Sequence, residues 1–335
     1  MPEILPLVTL YLSERCNSRC VTCDYWRHGV KDATLDSVRR MLPSLERLRT
    51  RAVLLSGGEP LLNPEWPQIA EVLKSQGLAL WLLTSGLSLA KHAVRAAELF
   101  DSITVSLDGA RPSTYAAIRG VDAFDKVCEG IRAVAAAGVP TSVRVTLQRG
   151  NYRELLELVA LARELGAAEV SFLAVDVSNP HAFARRDDAP PELKLAADDL
   201  PALDALLDEL AMTHAADFGT RFIAESPAKL RRIRDYFAAL CGIGAFPAVR
   251  CNAPEFSAVV DVDGRVAPCF FIPAAPLAPR APDLVASLAS EPARALRAAV
   301  RAGERHECAK CVCSMWRDPA ALAADEFRLG VAASA

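Results

Sequence analysis

Short apolar runs alternate with longer amphipathic stretches over the first half of the chain. The apolar runs occupy residues 7–12, 52–55, 78–83, 102–107, 141–147 and 169–174. Between them, apolar residues recur at helical spacing over residues 35–49, 65–76, 90–100, 124–137 and 152–165. Strands that alternate with helices in this way are typical of right-handed βαβ units in a parallel sheet. We therefore predict an α/β fold with six units in a partial barrel, and ligands at the carboxyl ends of the strands.

Several helix ends carry local signals. Gly138, followed by Pro140, and Gly166 after a leucine-rich run both predict that a helix stops there. Asn151 fits a helix N-cap, and Glu154 three residues later completes a pattern like a capping box. The helices at 124–137 and 152–165 should therefore have defined ends.

The alternation of strands and helices breaks down after about Asp176. Two further helices are predicted over residues 197–216 and 227–240, and one more after Trp316. The last 86 residues hold five of the ten cysteines. We expect three segments: a barrel at 1–180, a helical connecting segment at 181–249 and a cysteine-bearing domain at 250–335.

Composition narrows the functional classes. Hydrophobic residues make up 52% of the chain and charged residues 24%, which is typical of a protein with a packed core. The net charge is −3 and no basic run stands out, so we expect no nucleic-acid partner. The longest uncharged run, between Lys74 and Lys91, has 16 residues and is too short to span a membrane. Without an evident signal peptide, we expect a cytoplasmic protein whose cysteines are metal ligands or catalytic thiols rather than disulfides.

Three cysteines follow the first predicted strand directly, in the spacing Cys16-x3-Cys20-x2-Cys23. Three close thiolates can hold three irons of a cubane cluster and leave the fourth iron open. Catalytic metal sites keep such an open position for a substrate or cofactor, whereas structural sites are closed. The alternative is a zinc knot, for which His28 is the nearest fourth ligand.

This motif resembles the cluster loop of the radical S-adenosylmethionine (AdoMet) superfamily, and the resemblance extends over about residues 5–175. Gly57, Gly58, Glu59 and Pro60 follow the second strand and are similar to that family's Gly-Gly-Glu-Pro motif. In the family this motif receives the amino group of the methionine moiety. Paired glycines allow close backbone approach, and a carboxylate suits an ammonium group. The resemblance implies a 4Fe-4S cluster and AdoMet as cofactors.

Polar residues also follow the third and fourth strands. By resemblance, Ser85, Ser106 and Asp108 would contact the ribose or the methionine moiety, and Arg119 would pair with the methionine carboxylate. The plainer alternatives are a turn at Asp108 and a solvated helix face at Arg119. One departure is visible: Thr22 stands where the family often has an aromatic residue against adenine.

A second group of cysteines follows residue 250. Asp263-Gly264 predicts a hairpin between strands at 258–262 and 265–267. The hairpin would bring together two of the ligands, and a Cys-x2-Cys hook would supply the others. By resemblance to the SPASM/twitch extension of radical AdoMet enzymes, one auxiliary 4Fe-4S cluster is expected, with Cys313 as an alternative to Cys311. The expected ligands are Cys251, Cys269, Cys308 and Cys311. A zinc ribbon on the same thiolates is the alternative.

Two other cysteines have no assigned site. Cys128 stands at helical spacing among apolar residues and should be buried as a small hydrophobe. Cys241 follows a predicted helix and could donate a hydrogen atom, replace a ligand or simply pack.

The resemblance implies an enzyme that cleaves AdoMet reductively and abstracts hydrogen from a C–H bond, using an electron donor such as flavodoxin or ferredoxin. With an auxiliary cluster, net oxidation or cross-linking of a small metabolite or peptide is favoured. Because the first strand begins near Leu7, we expect no peptide-recognition domain before the barrel. The alternatives are a redox-neutral epimerase with a cysteine hydrogen donor, and a zinc-stapled binding module.

Overall fold

A computed structural model describes residues 4–179, 183, 185, 189–272 and 283–323. Its strands form one eight-stranded sheet in the order β6-β5-β4-β3-β2-β1-β7-β8. All neighbouring pairs are parallel except the antiparallel pair β7 and β8. The strands are β1 (Leu7–Ser13), β2 (Ala52–Gly57), β3 (Ala79–Thr84), β4 (Ser102–Ser106), β5 (Thr141–Leu147), β6 (Glu169–Ala174), β7 (Ser257–Val260) and β8 (Val266–Ala267).

Helices follow the first six strands and bury their apolar faces against the sheet. Residues such as Val38, Ile69, Ala96, Ile131 and Leu158 are fully buried in one continuous core. The helices are α1 (Leu35–Arg47), α2 (Trp66–Lys74), α3 (Leu89–Leu99), α4 (Pro112–Arg119), α5 (Phe124–Ala136), α6 (Leu155–Glu164), α7 (Leu200–Thr213), α8 (Ala215–Gly219), α9 (Pro227–Leu240), α10 (Ala253–Phe256), α11 (Leu284–Ala289), α12 (Glu291–Ala302), α13 (His306–Ala309) and α14 (Pro319–Ala323). None of those described is long and apolar enough to cross a membrane.

The predicted partial (β/α)6 barrel is confirmed, and its six strands match the apolar runs to within two residues. Helix α4 was not predicted, because Pro112–Arg119 is short and only weakly amphipathic. The hairpin at Asp263-Gly264 is confirmed by the antiparallel pairing of β7 and β8. The Asp261 carboxylate stabilises the turn by accepting hydrogen bonds from the amides of Asp263 and Arg265. Of the helix predicted after Trp316, the described part is α14.

The hairpin does not stand apart from the barrel. Strand β7 pairs in parallel with β1, from Leu7 opposite Ser257 to Leu10 opposite Val260. The pattern of the sequence predicts a strand here but does not say which strand lies beside it. The cysteine-bearing segment therefore extends the barrel sheet. The division at residues 180 and 249 stays a prediction.

Candidate active site and auxiliary cysteine site

The loop that carries Cys16, Cys20 and Cys23 leaves the carboxyl end of β1 and is held on both sides by backbone contacts. On one side, the amides of Arg19 and Val21 donate to the carbonyls at the end of α4, at 2.9 and 3.0 Å. On the other side, the Glu59 amide donates to the carbonyl of Arg15 at 2.7 Å. The loop is therefore fixed between α4 and the loop that follows β2.

Glycine is required at both of these contacts. A Cβ at position 58 would lie 2.3 Å from the carbonyl oxygen of Arg15. At position 120 the corresponding distance to the oxygen of Arg19 is 2.1 Å, and the φ angle of Gly120 is +68°. The glycines thus let neighbouring loops approach the cysteine loop closely, which a side chain would prevent.

The three thiols of the first site are largely enclosed. Burial raises the pKa of Cys16 to about 11 and that of Cys23 to about 12, while the nearby Arg119 guanidinium opposes both shifts. Burial also raises the pKa of Cys20, again against Arg119. Three clustered thiols beside one buried cation fit an iron–sulfur cluster, because iron binds the thiolate form and the cation balances that charge.

No three His, Cys, Asp or Glu side chains of the described residues converge closely enough to hold a single metal ion. Zinc needs its four ligands about 2.0–2.3 Å from one point. Neither a zinc site nor an iron site is preformed in the described part of the chain, so both interpretations of the two cysteine groups stay predictions.

Glu59 lies wholly inside the protein and already has a full set of hydrogen-bond donors. Its Oε1 accepts from the Leu61 amide at 3.1 Å and from the Thr84 hydroxyl at 2.8 Å. Its Oε2 accepts from the amide and the hydroxyl of Ser85, at 2.7 and 2.6 Å. Glu59 thus ties the loop after β2 to the end of β3. Its contact with the methionine amino group stays a prediction.

Asp108 and Arg119 form a buried ion pair, with 3.1 Å between Oδ2 and Nη1. The other carboxylate oxygen, Oδ1, accepts from the Thr146 amide at 2.6 Å. Arg119 is therefore not on a solvated face, and its buried Nε has no hydrogen-bond partner among the described residues. A buried guanidinium with an unused donor suits a carboxylate ligand.

Asn151 and Glu154 do not cap α6 as the sequence pattern predicts. The Asn151 amide donates to the carbonyls of Asp108 and Thr146, and its oxygen accepts from the Gln148 amide. Glu154 accepts from the Ala110 amide at 2.7 Å. Both side chains are used to fix the loop that follows β4, because the β5 and β4 ends lie side by side.

The second group of cysteines converges on one largely apolar cavity. Its wall receives thiols from the segment before α10, from the segment after β8 and from the predicted hook, which begins in α13; Val249, Val300 and Met315 also line it. The pKa of Cys269 is raised to about 12, mainly by burial and in smaller part by the neighbouring thiols. The five thiols at the wall are Cys251, Cys269, Cys308, Cys311 and Cys313. Four thiolates saturate a cubane cluster, so the choice between Cys311 and Cys313 stays a prediction.

The remaining two cysteines lie elsewhere. Cys128 is buried in the apolar face of α5, as the sequence predicts. Cys241 lies at the end of α9, where its thiol donates to the carbonyl of Leu195 at 3.3 Å. This contact fits the packing alternative, and the roles of Cys241 as a hydrogen donor or a substitute ligand stay predictions.

Sequence reasoning missed Tyr11, which lies between the two cysteine sites. Its ring meets Tyr25 edge-on, with centroids 5.5 Å apart, and Phe270 at 6.4 Å. Burial raises the pKa of Tyr11, and the thiols of Cys23 and Cys269 raise it further. The sequence offered one signal for this residue, because Tyr11 is the single aromatic side chain in the mostly apolar strand β1.

Comparison with known proteins agrees with this architecture. Residues 10–172 match the model of the Radical SAM superfamily. The chain is 32% identical over 168 residues to the AdoMet-dependent heme synthase of Methanosarcina barkeri, covering 48% of each chain. It is 32% identical to the PqqA peptide cyclase of Streptomyces rochei, over 48% of this chain and 45% of that protein. The chain therefore spans about half the length of these curated relatives.

The fold resembles that of Streptococcus suis SuiB, solved bound to the precursor peptide SuiA. The TM-score is 0.66 at 15% identity, over 88% of this chain and 67% of SuiB. The barrel with its cysteine loop is therefore identified as a radical SAM superfamily domain, which that family's model matches over residues 10–172.

Proposed function

We propose that this enzyme abstracts a hydrogen atom from a C–H bond of a peptide or small metabolite and then removes a second electron. The net result would be oxidation or cross-linking of the substrate. The observation that carries this proposal is the convergence of five thiols on one cavity in a segment that shares the barrel sheet. A second cluster there could accept the electron that oxidation releases.

In this proposal, Cys16, Cys20 and Cys23 hold the first cluster and leave one iron for AdoMet. That cluster, when bound, would supply the electron for reductive cleavage of AdoMet to methionine and a 5′-deoxyadenosyl radical. Arg119 binds the methionine carboxylate, for which its unused Nε is available. Glu59 fixes Ser85 at the cofactor side of β3.

Ser106 and Asp108 lie at the end of the neighbouring strand β4 and complete the proposed cofactor site. The external electron donor is proposed to be a flavodoxin or a ferredoxin.

A peptide is the substrate that the comparisons favour. Among the proteins described above, the peptide cyclase acts on a peptide, and SuiB was solved with one bound. The match to a heme synthase shows that similarity in the barrel does not fix the substrate. The substrate class therefore rests on fold likeness together with the auxiliary site.

The test is formation of 5′-deoxyadenosine by anaerobically reconstituted protein with AdoMet and dithionite. A variant with Ala at Cys16, Cys20 and Cys23 should lose the activity, because each missing thiolate leaves an iron without its ligand. The matched control is Cys128→Ala, which removes a buried thiol in α5 and should keep it. Equal rates for the triple variant and the wild type would refute the proposal.

A further inference from the structure

Arg144 places an unpaired positive charge on the barrel strand next to the proposed cofactor site. In the sheet it lies opposite Ser106 of β4 and Ser171 of β6. Its Nε is buried without a hydrogen-bond partner, and within the described residues its guanidinium has no ion pair. A buried polar group of this kind needs a partner that the protein chain does not supply.

Lys229 brings a second positive charge from α9, at a partly buried position. Its ammonium has no hydrogen bond or ion pair within the described part of the chain. Lys229 lines a cleft between α9 and the cysteine segment, together with Arg232, Lys310 and Ala174, the last residue of β6. Burial lowers the pKa of Lys229; Glu225 and the Cys313 thiol oppose this shift, and Arg144 and Arg232 add to it. Two cations thus lie near each other at the mouth of the barrel.

The carboxylates nearby are engaged elsewhere. Glu225 accepts from the Ser171 hydroxyl at 2.8 Å and from the Phe172 amide at 2.7 Å. Asp176 accepts from the amides of Ser178 and Asn179, at 2.8 and 3.0 Å. Glu169 accepts from the Ser142 hydroxyl at 2.8 Å. None of these carboxylates forms an ion pair with Arg144 or Lys229. The other group of opposite charge that faces both cations is the Cys313 thiol, whose pKa is raised by burial and lowered by both of them, so the auxiliary cysteines are the alternative partner that a test must separate from a ligand.

We propose that Arg144 and Lys229 form a subsite for a carboxylate of the substrate, between the cofactor site and the auxiliary cysteines. This inference rests on the proposed function. The planar guanidinium can donate two parallel hydrogen bonds to a carboxylate, and the ammonium adds a point charge. The carboxylate could come from the C-terminus of a peptide or from an Asp or Glu side chain.

The test measures binding of three fluorinated probes to the reconstituted enzyme with saturating AdoMet and no reductant. N-trifluoroacetylglycine carries a terminal carboxylate, and the α-amide of N-trifluoroacetylaspartate carries a side-chain carboxylate. N-trifluoroacetylglycinamide is the neutral control. We expect the fluorine signal of at least one carboxylate probe to broaden more than that of the amide. The carboxylate probe with the greater broadening shows whether the subsite prefers a terminal or a side-chain carboxylate.

Arg144→Gln and Lys229→Gln should each weaken binding of that probe about tenfold or more, since each removes a charged hydrogen-bond donor. The matched control is Lys126→Gln, on the exposed face of α5, which should change nothing. Iron content and circular dichroism show whether each variant is folded.

Equal broadening by carboxylate and amide probes in the wild type would overturn the subsite. So would variants that leave probe binding unchanged and instead weaken AdoMet binding or shift the reduction potential of the auxiliary site. Weaker AdoMet binding would assign the two cations to the methionine carboxylate. A shifted reduction potential would assign them to the charge of the auxiliary cluster. The assay needs no electron transfer, so its failure is separate from a failure to form 5′-deoxyadenosine.

Discussion

Replacing Glu59 by Gln should destabilise the protein even without AdoMet. Each carboxylate oxygen of Glu59 accepts two hydrogen bonds. Gln keeps one oxygen and therefore two of these four bonds, but its NH2 group replaces the other oxygen and cannot accept from the remaining two donors. Two hydrogen bonds to a charged acceptor are lost, each worth about 1.5–3 kcal/mol. If Oε2 is the lost acceptor, the amide of Ser85 loses its partner, and the hydroxyl of Ser85 is left with the Asn17 amide oxygen at 3.1 Å. The expected loss in free energy of unfolding is about 3–6 kcal/mol.

The assay is anaerobic urea unfolding of the reconstituted holoprotein, followed by circular dichroism with and without AdoMet. At a slope of about 3 kcal/mol per molar urea, the unfolding midpoint should fall by about 1–2 M. The matched control is Glu157→Gln, which removes an exposed ion pair with Arg111 and should cost less than about 1 kcal/mol. A Glu59→Gln midpoint equal to that of the wild type without AdoMet would show that Glu59 serves the cofactor alone.

Three further predictions concern the two cysteine sites. Arg119→Gln should weaken AdoMet binding by about 2 kcal/mol or more, roughly 30-fold, while iron content stays unchanged; unaltered affinity in equilibrium dialysis would contradict its role. Gly120→Ala should lower the iron content of the first site, because the new Cβ meets the carbonyl of Arg19, whereas the control Gly138→Ala has equally positive φ but open space and should keep its iron. Cys313→Ala should retain the auxiliary iron in a protein that lacks the first cluster; iron loss would make Cys313 a ligand, and zinc in place of iron would refute the auxiliary cluster.

The period of apolar residues was sufficient to predict the barrel, because each strand is a short apolar run and each long helix has one apolar face. The cysteine spacing likewise predicted two groups of thiols, and the structure brings each group together. Local patterns failed where a side chain has a distant partner. Asn151 stands where a helix cap is expected, yet its amide is used by the loop after β4.

Three other residues were not predicted from the sequence for the same reason, which is that their roles depend on distant neighbours. Arg144 and Lys229 stand in ordinary strand and helix patterns, and only the fold shows that neither forms an ion pair with a carboxylate of the described residues. Tyr11 is one aromatic residue in β1, and its position between two thiol sites depends on β7 lying beside that strand. Long-range neighbours of this kind are not encoded in the period of a single element.

The pairing of β7 with β1 also has a consequence for dissecting this protein. Without β7, the backbone amides and carbonyls along one side of β1 would be left without partners. An uncovered strand edge is a template for pairing with another chain, and β1 is strongly apolar. A fragment that ends before residue 257 is therefore expected to aggregate, so the barrel should be studied with its hairpin attached.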